Sequence, residues 1–202
     1  VDENTATLNI NNITLTSGTF AATIATTINI TGDWTNNGGT FTPGTGTVNF
    51  NNTTTSQNIN GTAASQTFYN IAIVKTAQTL SVGGSTTALT VNNLTQTTGN
   101  FTAPATLTIN GSLVLSAGTF TAGATINAAG DWTNNGGTFN AGTGTVKFNN
   151  TAAPQNINGT AVAQTFNNIA VAKTAQTLSV GGNTATLNVN NITLTSGTFA
   201  AG

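Results

Sequence analysis

The sequence predicts an all-β chain: a single-domain right-handed parallel β-helix over residues 1–202, with about ten coils of about 20 residues and three short strands per coil. Three observations predict it. Long segments recur, a shorter apolar period runs inside them, and the intervening strand-like stretches are too short for hairpins.

The long repeat is direct. Asp33 to Thr95 returns 98 residues later as Asp131 to Thr193, with 47 of 63 positions identical. Asp33 to Phe41 recurs unchanged as Asp131 to Phe139, and Lys75 to Gly84 as Lys173 to Gly182. A shift of 179 aligns Asn4 to Phe20 with Asn183 to Phe199, differing only at Ile10 against Val189.

The short period comes from the apolar residue that ends each alternating run. The series is Ile10, Ile30, Phe50, Phe68, Val91, Ile109, Ala128, Phe148, Phe166 and Val189, nine steps over 179 residues or 19.9 per step. A period near 20 at fixed phase points to a solenoid rather than two globular domains.

Each unit repeats one grammar. An alternating run such as Leu8-Asn9-Ile10 or Leu107-Thr108-Ile109 marks a strand with one buried face. An Asn-Asn or Asn-Gly corner follows, because Asn tolerates the left-handed region and bonds nearby backbone. A second short run, such as Ile13-Thr14-Leu15, leads through glycine to Thr-Phe. Pro43, Pro104 and Pro154 fall in inferred corners, where a missing N–H does least harm.

Inward positions are expected to stack like on like. Phe20, Phe41, Phe101, Phe120, Phe139 and Phe199 are expected to form one near-continuous aromatic column, with Leu80 and Leu178 filling gaps. Trp34 and Trp132 take the place of Ile13 and read first as core. The competing reading makes them, with Tyr69, candidate surface contacts for a glycan or partner. Asn36 and Asn134 either face inward as a polar step or mark a register slip.

Composition narrows the chemistry. Charged residues make up 3%, with no His, Cys or Met and a formal charge of −1. This leaves no disulfide framework, no thiol chemistry and no Cys or His metal site. Three lysines cannot neutralise several phosphates, so no nucleic-acid surface is expected. No run is long enough for a membrane helix, so no membrane insertion is expected; no basic and apolar leader pattern stands at Val1, so no signal peptide is expected there, as in a mature or excised product. Asp33 and Asp131 are repeat equivalents and read as corner caps, not a catalytic pair; Lys75 and Lys173 read as solvated corner charges and Lys147 as outward-facing. Serine lacks a histidine to activate it. The chain is therefore expected to be neither an enzyme nor a cofactor protein.

Thr106 to Phe120 and Asp131 to Phe139 resemble the β-helical repeats of large bacterial surface proteins, adhesin-like, autotransporter-passenger-like or fibre-forming. The resemblance covers the whole chain. It implies a secreted or surface-displayed structural protein, extracellular or at the cell surface, acting as a stalk, an adhesin or a fibre unit. No active-site motif comes with it. The chain opens at Val1 at the phase of Val180 and closes at Gly202 at the phase of Thr23, with Asp2 and Glu3 charging one end. That pattern suggests a window cut from a longer array, or a subunit that self-associates head to tail. The leading expectation is a filament or stalk built by end-to-end stacking. The alternatives are an adhesin binding glycans or surfaces, and an ice-binding protein. Thr-x-Thr pairs occur at different phases of the coil, so one flat threonine array is not evident.

Overall fold

The computed structural model describes residues 6–22 and 27–202. Val1, Asp2 and Glu3, and the phase assigned to Val1 and Thr23, lie outside the described residues. Among the described residues there is no helix, and every strand pairing is parallel. The chain is a β-solenoid of about nine turns, in agreement with the right-handed parallel β-helix expected.

Three columns of in-register strands form three faces. The first face stacks Leu8, Ile28, Val48, Ile71, Leu94, Leu113, Trp132, Ile157 and Val180. The second starts with Ile13, Trp34, Ile59 and Val82 and runs on beside them through Leu80, Phe101, Phe120 and Phe139. The third carries Phe20 and Phe41, then, from Gln66, Leu89, Leu107, Ile126, Val146, Ile169 and Ile192. Inward residues alternate with outward Thr and Asn, as the pleat requires.

The turn is longer than the sequence period suggests. Leu8 to Val180 spans 172 residues in eight turns, or 21.5 per turn. Individual turns range from 18 residues (Leu89 to Leu107) to 25 (Trp34 to Ile59). About ten coils of 20 thus become about nine of 21.5. The excess sits in the wide corners after Asn51 and Asn149, which precede Gln57 and Gln155, and in the register shifts between Val74 and Thr79 and between Ala172 and Thr177.

The apolar series read from the sequence therefore changes face. Ile10, Ile30 and Phe50 stack on the first face, but the next residue above Phe50 is Ile73, not Phe68. Val91, Ile109, Ala128 and Phe148 stack on the third face, and Val171 follows. Phe166 pairs with Val189 on the second. A period of 19.9 lags a turn of 21.5, so a fixed-phase series slips back by one face each time it meets a wide corner.

The predicted phenylalanine column is likewise three short ones. Phe20 and Phe41 share one face, Leu80, Phe101, Phe120 and Phe139 another, and Leu178 and Phe199 the remaining one. Leu80 and Leu178 do sit in register with a ring. The rings gather instead in two clusters, each centred on a tryptophan. Trp34 lies 4.6 Å from Phe41 and 4.8 Å from Phe68. Trp132 lies 4.6 Å from Phe139 and 5.1 Å from Phe166. Edge and tilted contacts at these distances add about 0.5–1.5 kcal/mol per pair beyond area burial.

Candidate functional site

Trp34 and Trp132 are 0% exposed, so neither is a surface contact. The indole fills the space where the neighbouring coils carry Ile13 or Leu113, and the Phe clusters close over it. Tyr69 is half-buried; its carbonyl accepts from Asn92 N and Asn93 N across a corner. Asn36 and Asn134 face inward as the polar step, each Oδ1 accepting the N–H of Gly38 or Gly136 at 3.0 Å.

The lysines overturn their sequence reading. Lys75 and Lys173 are 0% exposed, not solvated. Lys75 Nζ donates to Asn52 O at 2.9 Å, Thr55 O at 3.2 Å and Gln57 Oε1 at 2.7 Å. Lys173 Nζ repeats this with Asn150 O, Ala153 O and Gln155 Oε1 at 2.9, 3.1 and 2.7 Å. Three acceptors match the three ammonium protons. Each lysine reaches down from one coil and closes the wide corner of the coil below. Burial pushes Lys75 down from 10.5 to about 8, against the opposing pull of Asp33. Burial lowers Lys173 as well, against Asp131. Lys147 is exposed, as its outward phase requires.

Gln57 completes the cage. Its Nε2 donates to Ile30 O and Gly32 O, and its Oε1 also accepts Asn52 N–H. Gln155 does the same with Ala128 O, Gly130 O and Asn150 N–H. Asp33 and Asp131 are corner caps: each Oδ1 accepts a backbone N–H of the coil above, from Asn58 or Asn156, at 2.8 Å.

Outward amides tie coils together. Asn29 donates to Asn9 at 2.8 Å, Asn49 to Asn29 at 3.1 Å, and Asn93 to Asn70 at 2.9 Å. Outward threonines run in short columns, Thr7-Thr27-Thr47 and Thr106-Thr125-Thr145, each ending at an Asn in the next coil. Among the described residues no group of three or more His, Cys, Asp or Glu could hold a metal. Among the described residues no helix is long and apolar enough to cross a membrane.

Two of the crevices in the wall are repeat equivalents. One of about 230 Å³ is lined by Trp34, Asn36, Thr40, Phe41, Gln66 and Phe68. One of about 220 Å³ is lined by the repeat equivalents Trp132, Asn134, Thr138, Phe139, Gln164 and Phe166. Each opens where the ladder breaks. Thr40–Thr42 pairs downward with Thr19–Ala21, and Ser65–Thr67 pairs upward, but among the described residues no ladder joins these two strands. The same break separates Thr138–Asn140 from the Ala163 end of Ala163–Val180.

Comparison with protein-family models, with curated proteins and with solved structures returned no match. The functional reading therefore rests on the geometry.

Proposed function

We propose that the chain is a structural β-solenoid: a stiff rod segment of a secreted or surface-displayed stalk or filament. One observation supports this above the rest. The three faces are chemically interchangeable, so the same sequence serves on any of them. Such a design specifies continuation of the rod rather than a single reactive place. Exposed polar groups are satisfied by Asn and Thr columns without like-charge repulsion between coils.

Elongation follows from the same self-similarity. Asn183 to Phe199 repeats Asn4 to Phe20. In the first copy, Thr27–Ile30 and Trp34–Asn36 cover the upper edge. In the second copy the same edge leaves Ile192 and Leu194 at 45% and 54% exposure. An edge of this sequence accepts a further coil of the same kind, in the chain or in a neighbour.

Negative-stain microscopy of the purified chain tests the proposal. Straight rods that lengthen by whole multiples of about 45 Å as concentration rises support it, at about 4.8 Å per turn. Compact particles without an elongated axis at any concentration contradict it.

A further inference from the structure

We propose that each buried lysine is the nucleophile of a self-made cross-link: Lys75 Nζ joins Gln57 Cδ, and Lys173 Nζ joins Gln155 Cδ, each as an isopeptide bond formed with release of ammonia. The inference concerns the covalent state of the rod and does not depend on how the rod elongates.

Proximity comes first. Both members of each pair are 0% exposed, and the lysine Nζ lies 2.7 Å from the glutamine Oε1. A C=O bond is about 1.23 Å long, so the amide carbon lies within about 4 Å of the amine. Both groups are pinned there. Asn52 O and Thr55 O hold Lys75 Nζ, while Asn52 N–H, Ile30 O and Gly32 O hold the two ends of the Gln57 amide. Well-oriented groups at such range reach effective molarities of about 10⁵ M and above. No external reagent has to enter the core.

The cage also supplies what the exchange needs. An ammonium spends three protons on three acceptors and has no lone pair to offer. The neutral amine has two protons, enough for Asn52 O and Thr55 O, and its lone pair is then left toward Gln57. Burial favours that neutral form in both lysines; Asp33 and Asp131, the charged groups that act on Lys75 and Lys173, oppose it. Asn52 N–H donates to Gln57 Oε1 at 3.1 Å, where negative charge develops on attack. The carbonyls of Ile30 and Gly32 accept from Nε2, the nitrogen that leaves.

The step balances. The amine lone pair forms a bond to Cδ, the Cδ–Nε2 bond breaks, and one amine proton passes to Nε2. A secondary amide and ammonia replace a primary amide and an amine, with no oxidant and no cofactor. Ammonia has a short way out, because Thr53 to Ser56, in the corner that bonds the amine, are exposed.

The same cage is built twice from different corners. Thr54, Thr55 and Ser56 become Ala152, Ala153 and Pro154. Asn150 N–H, Ala128 O and Gly130 O still hold Gln155 as their counterparts hold Gln57. Each bond joins residues 18 apart and ties one coil to the coil below. A coil so tied cannot peel from its neighbour without breaking a covalent bond, which suits a rod under tension.

Trypsin reads the bond, because an acylated lysine is not cleaved. The basic residues of the chain are Lys75, Lys147 and Lys173, so Lys147 is the internal control. The test holds the folded chain for days at about pH 9, above the folded value of about 8 for Lys75, then denatures it in guanidinium chloride, dilutes and digests. The expected result is cleavage after Lys147 alone, with an intact mass two ammonias below that of the sequence. Tandem mass spectrometry of the blocked fragments places the links on Gln57 and Gln155. Gln57→Met restores cleavage after Lys75 and leaves Lys173 blocked, so the second site shows that the variant folds. Linkage removes the titrating amines, so a rise of stability with pH is confined to chain at full sequence mass. Cleavage after all three lysines at full sequence mass overturns the proposal. So does a link to any other residue, or blockage at Lys75 that persists in Gln57→Met.

Discussion

Trp34 and Trp132 stand on different faces of the solenoid although their sequence surroundings are identical from Asp33 to Phe41 and Asp131 to Phe139. Trp34 stacks between Ile13 and Ile59, Trp132 between Leu113 and Ile157. The 98 residues between them make fourteen face-to-face steps of seven residues on average. Fourteen is not a multiple of three, so the repeat arrives one face out of phase. It still finds the same ring neighbours, because a triangular interior looks alike from each side. The unit of this sequence is the face, not the turn.

Truncating either tryptophan should cost about 3–5 kcal/mol, the range for large aromatic cores. The two clusters share no ring. Trp34→Ala and Trp132→Ala should therefore add in the double variant to within about 0.5 kcal/mol. Urea unfolding of the single and double variants checks this.

The buried lysines give a pH dependence of defined sign. Lys75 binds its proton with a folded value near 8 and an unfolded value of 10.5. Between these the unfolded chain binds more protons, so stability rises with pH. Below pH 8 both states are protonated and the cost of burying the charge is fully present. Urea midpoints should climb from pH 8 to 10, and the climb should vanish in Lys75→Met with Lys173→Met. A flat profile in the parent chain contradicts the lowering of the buried lysines.

Removing the cage altogether should loosen the wide corners. Lys75→Ala leaves Gln57 Oε1, Asn52 O and Thr55 O without their ammonium donor. A loss of about 1–3 kcal/mol is expected for groups stranded in this way. Amide hydrogen exchange should quicken first in the corner after Asn51, and the Lys173 corner should be unaffected.

Gly61 and Gly159 hold corners that admit no side chain. Both have φ of +118°, and a Cβ would fall 2.1 Å from Asn36 O or 2.0 Å from Asn134 O. Gly61→Ala should cost at least about 2 kcal/mol from strain and displacement of that carbonyl. Gly83→Ala meets open space and should change stability by less than about 0.5 kcal/mol. Thermal melts of the two variants separate these outcomes.

Much of this fold is legible in the residues. Alternation in Leu8-Asn9-Ile10 places Asn9 outward, and Asn9 does ladder with Asn29. The parallel stack, the corner prolines and the capping role of Asp33 follow from the same grammar. What misleads is the assumption of equal coils. The wide corners before Gln57 and Gln155 carry few apolar residues, so their extra length leaves no mark on an apolar period. The lysines were misplaced for a related reason. A lone charge in a corner reads as solvated unless its acceptors are visible, and these come from a corner 18–23 residues earlier. One signal was present. Gln57 and Ile59 are two apart on one strand, and Phe68 lies two residues after Gln66, just past the end of Ser65–Thr67, so both glutamines share the inward face. An inward amide calls for a buried partner, which Lys75 and Trp34 supply.

The register above Phe50 tests the central claim most directly. The chain has no cysteine, so a single engineered pair reports cleanly. Asn49 lies beside Ala72 in the structure, and adjacent parallel strands fall within disulfide reach. Asn49→Cys with Ala72→Cys should oxidise to an intramolecular disulfide in the folded chain. If Phe68 followed Phe50 in the stack, as the apolar series has it, Asn49 would instead meet Thr67, so Asn49→Cys with Thr67→Cys should stay reduced. Bridging of the Thr67 pair and not the Ala72 pair would contradict the three-face solenoid described above.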